Sequence, residues 1–408
     1  MKFIVQKFGG TSVATPEMRA KVVEKIIAAR EEGYTPVVVV SAIGRSGDPY
    51  ATDTLINFAR QTYREVSARE MDMLMSCGEI ISGVIMAATL QKAGHPAVFL
   101  TGAQAGIITD DNYNEARILK VKPENILRQA REGKIVVVAG FQGITEEGEI
   151  TTLGRGGSDT TAAALGVALN AAYVDIYTDV EGIMTADPRI VGEAQALEKV
   201  TYDEICQLAH EGAKVVHPRA VEIVMQRNIP LRVRSTFSDT PGTLVTSSGE
   251  VYRGTIDITR DRTVTGITQI PNIVQFKVPI TEEGPGGLTQ QRRLFKSLAL
   301  SGISLDFINV FPDEVVFTVK EDVWQKAAQI LDNAGFKAVV TPDCAKVAAV
   351  GAGMTGVPGV MAAIVEALTR EDIRIMQAND SYTTIWVLVK KEDMEKAVRA
   401  LHRRFLQH

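Results

Sequence analysis

Cysteine, tryptophan and histidine are scarce in this chain: three, two and five residues among 408. Cys77, Cys206 and Cys344 form an odd, scattered set with no CxxC spacing. That argues against a disulfide framework and a cysteine zinc site, and suits a reducing, cytoplasmic setting. The histidines (His95, His210, His217, His402 and His408) follow no HExxH or other metal-ligand pattern. No excess of one charge exists either. The 44 basic and 49 acidic residues leave a net charge of −5, against a general nucleic-acid or anionic-membrane binder. No run approaches the ~20 apolar residues that cross a bilayer. The opening MKFIVQKFGG is too short in its apolar part for a signal peptide. Catalytic signatures are missing as well. There is no GxxxxGK[ST] loop, no HRD or DFG set and no GxSxG elbow.

What is present is ample apolar content, 45% of residues, in a chain long enough for two or three domains at ~150 residues each. Phe3–Lys7 is a short β-type run ending at Gly9-Gly10, and Glu17–Glu32 has helical periodicity up to Gly33. Pro36–Ser41, PVVVVS, is a continuous β-branched run of the kind buried on both faces of a sheet. The pattern returns at Ile135–Ala139 and Ala172–Thr178, with helical stretches at Glu70–Ala93 and Thr160–Asn170. Alternation of this kind predicts an α/β layer sandwich with a largely parallel sheet over residues 1–245, Leu231–Ser235 being its last strand.

Residues 246–265 are polar and turn-rich, and mark a boundary. Beyond it the order β-α-β-β-α occurs twice, over 266–345 and 346–408, an internal duplication. The second copy has no strand after its last helix. A neighbouring segment is therefore expected to complete its sheet, with strands exchanged between the copies.

Glycine clusters mark the candidate anion sites. In Lys7–Ser12, KFGGTS, a strand ends in paired glycines before a helix, so backbone N–H groups can approach a phosphate while Lys7 supplies a cation. In Gly154–Thr160, GRGGSDT, Arg155 sits among glycines and Ser158 or Asp159 can cap the next helix. An arginine so placed can grip a carboxylate or phosphate bidentately. Thr178–Arg189, TDVEGIMTADPR, starts at a strand's C-terminal end, where open α/β sheets bind ligands, and offers Asp179 and Arg189. Lys214 in GAKVVHPRA reads on its own as a solvated lysine, and Glu79 in SCGEIIS as a helix-surface carboxylate unless a ligand ammonium faces it. Ser41 and Thr52–Asp53 follow the PVVVV strand and can line the same crevice. Gly351–Gly356, GAGMTG, spells GxGxxG, but an acidic residue at the end of the second strand is lacking and too little chain remains for a dinucleotide fold.

Phosphoryl transfer to a carboxylate fits this inventory. The acceptor is already ionised at neutral pH and needs no general base; the protein must instead offset repulsion between two anions with lysines and oriented N–H groups.

Taken together and in this order, KFGGTSV, SCGE, GRGGSDT, TDVEG…TADPR and GAKVVHPR resemble the amino-acid kinase family, within it the aspartokinase branch, and the C-terminal copies resemble paired ACT units. The resemblance extends over the whole chain. It implies a three-layer αβα sandwich followed by two ferredoxin-like units, and ATP-dependent phosphorylation of the β-carboxylate of L-aspartate under feedback control. It further implies that Lys7, Gly9 and Gly10 meet the transferring phosphate and that Asp159 orients the lysines. Arg155 would hold the substrate α-carboxylate and Glu79 its ammonium, with Ser41, Thr52 and Ser158 lining the pocket. Thr178, Asp179, Met184, Arg189 and Lys214 would contact the nucleotide, which carries Mg²⁺ in with it. Met184 stands where many relatives have Tyr, and Ile280–Gln291, ITEEGPGGLTQQ, replaces a short Asp-x-Pro-Gly turn near the effector pocket. That departure is similar to the diaminopimelate-sensitive bacillus type, so meso-diaminopimelate is the favoured effector, with lysine or threonine as alternatives. Asp306, Asn309, Asn379, Asp380 and Ser381 are the implied effector contacts, and a homodimer through the ACT units is expected.

Overall fold

In the computed structural model, residues 1–213, 215–247, 263–282, 284–351, 354 and 357–407 are described. They fall into two compact units, one holding 1–184, 196–210 and 215–247, the other 185–195, 211–213 and 263–407. The expected boundary over 246–265 and the GAGMTG stretch lie partly outside the described residues, and Lys214 lies wholly outside them.

The first unit is built on an eight-stranded sheet in the order Lys199–Thr201, Thr243–Thr246, Leu231–Ser235, Tyr173–Thr178, Phe3–Phe8, Thr35–Val40, Ile135–Ala139, Ala97–Leu100. Every pair is parallel except Leu231–Ser235 with Thr243–Thr246. Leu231–Ser235 is therefore not the last strand, a correction to the sequence reading. The TLVT segment is too short to stand out by periodicity and is recruited by its neighbour. The central valines are fully buried because helices cover both faces. Helices Pro16–Glu31 and Ala68–Lys92 bury Val22, Ile26, Met86 and Leu90 against Val38, Val40 and Val137 on one side. Helix Gly157–Ala168, buried over its first ten positions, covers the other. Thr15 caps the first helix by accepting from Met18 N–H, and Pro16 occupies the first turn, where its missing N–H costs nothing.

Helix Ala68–Lys92, at 25 residues, corrects a second expectation, because its length and hydropathy reach those of a membrane span; half of its most apolar stretch is buried in the fold. A small sheet of Ile118–Val121, Ile107–Thr109, Gln142–Ile144 and Ile150–Thr152 borders this helix.

The second unit contains one six-stranded antiparallel sheet, Asp306–Val310, Glu314–Lys320, Gly266–Pro279, Val339–Val350, Thr384–Lys390, Gln377–Asp380. The two long central strands pair along their whole length and carry one core at each end. Irregular register at Ile270–Gln275 separates the ends. The strand expected at Ile373–Gln377 starts only at Gln377, because Asp372 takes a left-handed turn with φ of 56°.

Candidate active site

Parallel register places the strand ends side by side. Phe8 lies opposite Val40 and Tyr177, so Gly9, Ser41 and Thr178 emerge at the same edge of the sheet. Gly10 has no room for a side chain: a Cβ there would meet the carbonyl oxygens of Ala42 and Gly44 at 2.5 and 2.7 Å. The KFGG turn is thus pressed against the turn after the next strand. Gly10→Ala should push the two turns apart and lower kcat about tenfold, the scale of a sub-ångström misplacement. Unchanged kcat with an intact melting curve would contradict the packing role.

Lys7 Nζ lies 2.8 Å from Asp159 Oδ1, with the two side chains 14% and 11% exposed. Asp159 is in the first turn of helix Gly157–Ala168, and its other oxygen accepts from His217 N–H at 3.4 Å. The turn before that helix needs glycine. Gly156 has φ of 70° and ψ of 13°, and a Cβ on it would collide with the His217 ring. Burial pushes the His217 pKa down, partly countered by Asp159. Ser41 Oγ donates to Ser158 Oγ at 3.0 Å, joining the two motifs across the sheet edge.

Glu79 is 2% exposed, so the surface reading of this carboxylate is corrected. Its Oε1 accepts from Ala42 N–H at 3.0 Å, and its Oε2 has no partner among the described residues. Burial pushes its pKa up to about 8, with the Ala42 N–H pulling the other way. Gly78 lets the helix approach, since a Cβ there would meet Ala42 Cβ at 2.8 Å. Lys7, Gly10, Ser41, Thr52, Glu79, Arg155, Ser158 and Asp159 all line one cleft of about 980 Å³. A buried, half-satisfied carboxylate and a paired lysine open on the same space as an exposed arginine, which suits a zwitterion carrying a further anionic group.

Three features were not legible in the sequence. Asp72 is buried one helical stretch before Glu79 and accepts from Thr152 Oγ1, Thr152 N–H and Asn114 N–H at 2.6 to 3.1 Å, fixing the loops that border the cleft. Burial raises its pKa against those hydrogen bonds. Arg45 follows the PVVVV strand and pairs with Asp179 at 2.8 Å. Arg60 and Arg64 join Arg155 in the cleft wall. Position after a strand's C-terminal end was the one available signal, and it applied to Arg45 alone.

The remaining expected positions make local contacts within their own units. Thr178 Oγ1 donates to Asp179, and Met184 bridges to Ala196 in the first unit. Arg189 belongs to the second unit and chelates Asp187, at 2.7 and 3.0 Å. In that unit Asp306 pairs with Lys346, and Asn309 Oδ1 accepts from Gln377 Nε2 at 2.6 Å. Asn379 Oδ1 accepts from Asp380 N–H, and Ser381 N–H donates to the Thr384 carbonyl.

Comparison with known proteins agrees with this geometry. A profile of the amino acid kinase family matches residues 2–235, and an ACT domain profile matches residues 339–403. Aspartokinase 1 of Bacillus subtilis (strain 168) is 52% identical over 405 residues, covering 99% of each chain. The structure of E. coli aspartokinase III in complex with aspartate and ADP (R-state) superposes with a TM-score of 0.79 at 25% identity, covering 99% of each chain. Clostridium acetobutylicum aspartate kinase superposes at 0.78, also at 25% identity, covering 99% of this chain and 100% of that one. With a carboxylate-and-lysine cleft on an αβα sheet, a family profile over more than half its length and full-length relatives at this identity, the chain belongs to the amino acid kinase family, in its aspartokinase branch.

Proposed function

We infer that the chain transfers the γ-phosphoryl group of ATP to the β-carboxylate of L-aspartate, yielding 4-phospho-L-aspartate and ADP, under feedback control by an amino acid. The observation that carries this is the convergence on one cleft of the Lys7–Asp159 pair, exposed Arg155 and buried Glu79, whose Oε2 has no partner among the described residues. A β-carboxylate oxygen attacks the γ-phosphorus while the bond to the β–γ bridging oxygen breaks, so ADP leaves with that electron pair. Lys7 draws charge from the transferring group, and Asp159 keeps its ammonium aimed there. Gly9 and Gly10 bring backbone N–H groups close, as the absence of side chains permits. Arg155 takes the α-carboxylate, Glu79 the α-ammonium, and Ser41, Thr52 and Ser158 complete the pocket. Thr178, Asp179, Met184, Arg189 and Lys214 are assigned to the nucleotide.

Among the described residues no three His, Cys, Asp or Glu side chains gather as a metal site. Mg²⁺ is assigned to the nucleotide, where it would neutralise phosphate charge. The domain reading is residues 1–245 for catalysis, 246–265 as linker, and 266–345 and 346–408 as ACT units. The strand Val339–Val350 crosses the last boundary, which supports exchanged strands. Asp306, Asn309, Asn379, Asp380 and Ser381 are assigned to the effector, in a homodimer joined through the ACT units. meso-Diaminopimelate is the favoured effector. E. coli aspartokinase III has been solved in complex with lysine and aspartate (T-state), which makes lysine a necessary comparison.

The test is acyl phosphate trapping. With ATP, Mg²⁺ and aspartate, hydroxylamine should capture aspartyl hydroxamate, and titration with meso-diaminopimelate should suppress it more strongly than lysine or threonine. No hydroxamate from aspartate, with turnover on glutamate or carbamate instead, would overturn the substrate assignment.

A further inference from the structure

Arg155 is exposed, and its guanidinium has no hydrogen-bond or ion-pair partner among the described residues. It stands between Gly154 and Gly156, both in the left-handed region at φ of 74° and 70°. Such a turn has little stiffness of its own, because glycine moves between backbone regions at small cost. What aims Arg155 is therefore whatever fixes the two ends of its turn. On the far side the next helix does so, with Gly157 N–H donating to the Gly154 carbonyl at 3.0 Å. On the near side Thr152 and Leu153 are gripped by two charged side chains, Asp72 and Arg219, both from the first unit.

Asp72 lies on helix Ala68–Lys92 and is 0% exposed. Its Oδ2 accepts from Thr152 N–H at 2.8 Å and from Asn114 N–H at 3.0 Å, and its Oδ1 accepts from Thr152 Oγ1 at 2.6 Å. Asn114, at φ of 68°, lines the cleft with Glu115, and a Cβ on Gly154 would stand 3.0 Å from the Asn114 carbonyl oxygen. Arg219 is half-buried in the first turn of helix Pro218–Met225. Its Nη1 donates to the Leu153 carbonyl at 3.2 Å and its Nη2 to the Ala116 carbonyl at 2.9 Å. Ala116 N–H in turn donates to the Thr152 carbonyl at 2.9 Å, so both charges act on the same two strips of backbone. Burying a carboxylate costs free energy that an apolar side chain would not, and Met71 and Met75 pack on the same helix without that penalty. The carboxylate is matched to backbone donors of the loops that border the cleft.

We propose that Asp72 and Arg219 are positioning residues for substrate recognition, holding residues 114–116 and 152–153 so that Arg155 is presented to the α-carboxylate of the amino-acid substrate. This deepens the assignment of Arg155 above and rests on it. A small shift of one binding group weakens its own contact and leaves the groups at the transferring phosphate in place. Residues that act only through a third lose their effect once that third is removed, which makes the proposal testable by a double-mutant cycle.

The experiment measures steady-state kinetics of the full-length chain for aspartate and ATP in Asp72→Asn, Arg219→Ala, Arg155→Ala and the two double variants with Arg155→Ala. Asp72→Asn keeps the shape but turns an amide donor toward backbone donors. It and Arg219→Ala should each raise KM for aspartate about tenfold, with kcat and KM for ATP within about twofold of the parent. Each double variant should match Arg155→Ala alone within about twofold. Thr152→Val, which loses only the hydroxyl that Asp72 accepts from, should raise KM for aspartate about fivefold, and Thr152→Ser should stay near the parent. This pair keeps the test open should Asp72→Asn not fold. Equal rises in both KM values, a fall in kcat alone, additive losses in the double variants, or Thr152→Ser as impaired as Thr152→Val would overturn the proposal. Arg155→Ala separates the two readings. If it raises KM for aspartate while Asp72→Asn and Arg219→Ala do not, the Arg155 assignment stands and the proposal fails; if it leaves that KM unchanged, the assignment fails and takes the proposal with it.

Discussion

Replacing Lys7 with Ala should lower kcat about 10³-fold, roughly 4 kcal/mol of transition-state stabilisation, while leaving the fold intact. The expectation comes from where the ammonium sits. Lys7 lies one residue before the end of a buried strand, and its Nζ is held 2.8 Å from Asp159 with little solvent around either group. Charge placed there is weakly screened, and acts where an anionic acceptor and anionic phosphates must approach. Removing it takes away the one lysine held between the KFGG turn and Asp159, so the repulsion between the two anions is less offset at the transferring group. Lys7→Arg should recover part of the activity, because the charge remains but the planar fork does not match a point contact. Asp159→Asn should fall between parent and Lys7→Ala, since Nζ keeps its charge but loses its orientation. Hydroxamate formation at saturating substrate is the measurement. A loss under tenfold in Lys7→Ala would remove Lys7 from the transfer step.

Glu79→Gln should raise KM for aspartate about 10²-fold, in line with losing a charge-assisted hydrogen bond, and should change kcat far less. The pH dependence is the sharper result. In the unliganded protein burial holds the Glu79 carboxyl at a pKa of about 8, so near neutrality it is largely protonated. An ammonium ligand binds the ionised form, and binding therefore expels a proton. KM for aspartate should fall close to tenfold per pH unit between about pH 6 and 7, then level off above about pH 8. In Glu79→Gln that slope should vanish. Stability of the unliganded protein moves the opposite way. The folded pKa lies above the ordinary value of 4.5, so the folded state binds the extra proton, and stability is lost as pH rises from about 4.5 to about 8. Glu79→Gln should therefore melt higher than the parent at pH 8 and nearly together with it at pH 4.5. A KM slope that survives in the variant would assign the titration to another group.

The reach of sequence reasoning differs between these two residues. Lys7 and Asp159 lie in glycine-flanked turns, and their type and neighbours already pointed to an anion. Glu79 looked like a helix-surface carboxylate. Its burial follows from Gly78, which admits the Ala42 side chain so closely that the Glu79 side of the helix is closed to water. A single-sequence reading has no access to that approach. Asp72 is hidden for the same reason, since its partners Thr152 and Asn114 lie 80 and 42 positions away. Helix Ala68–Lys92 was placed almost to the residue by its periodicity, yet which of its polar positions faces inward depends on what packs against it.

By itself the sequence determined the elements and their alternation. Continuous β-branched runs such as PVVVV can be stable only when covered on both faces, and glycines at strand ends permit the tight turns that follow. Those are local or nearest-layer constraints, and they are written in consecutive residues. Only the tertiary structure decided strand order and the antiparallel Thr243–Thr246 strand. It alone brought Thr185 to His402 and Glu211 to Lys346. Each of these pairs groups distant in the chain, where the gain comes from burying a polar contact that no local pattern encodes.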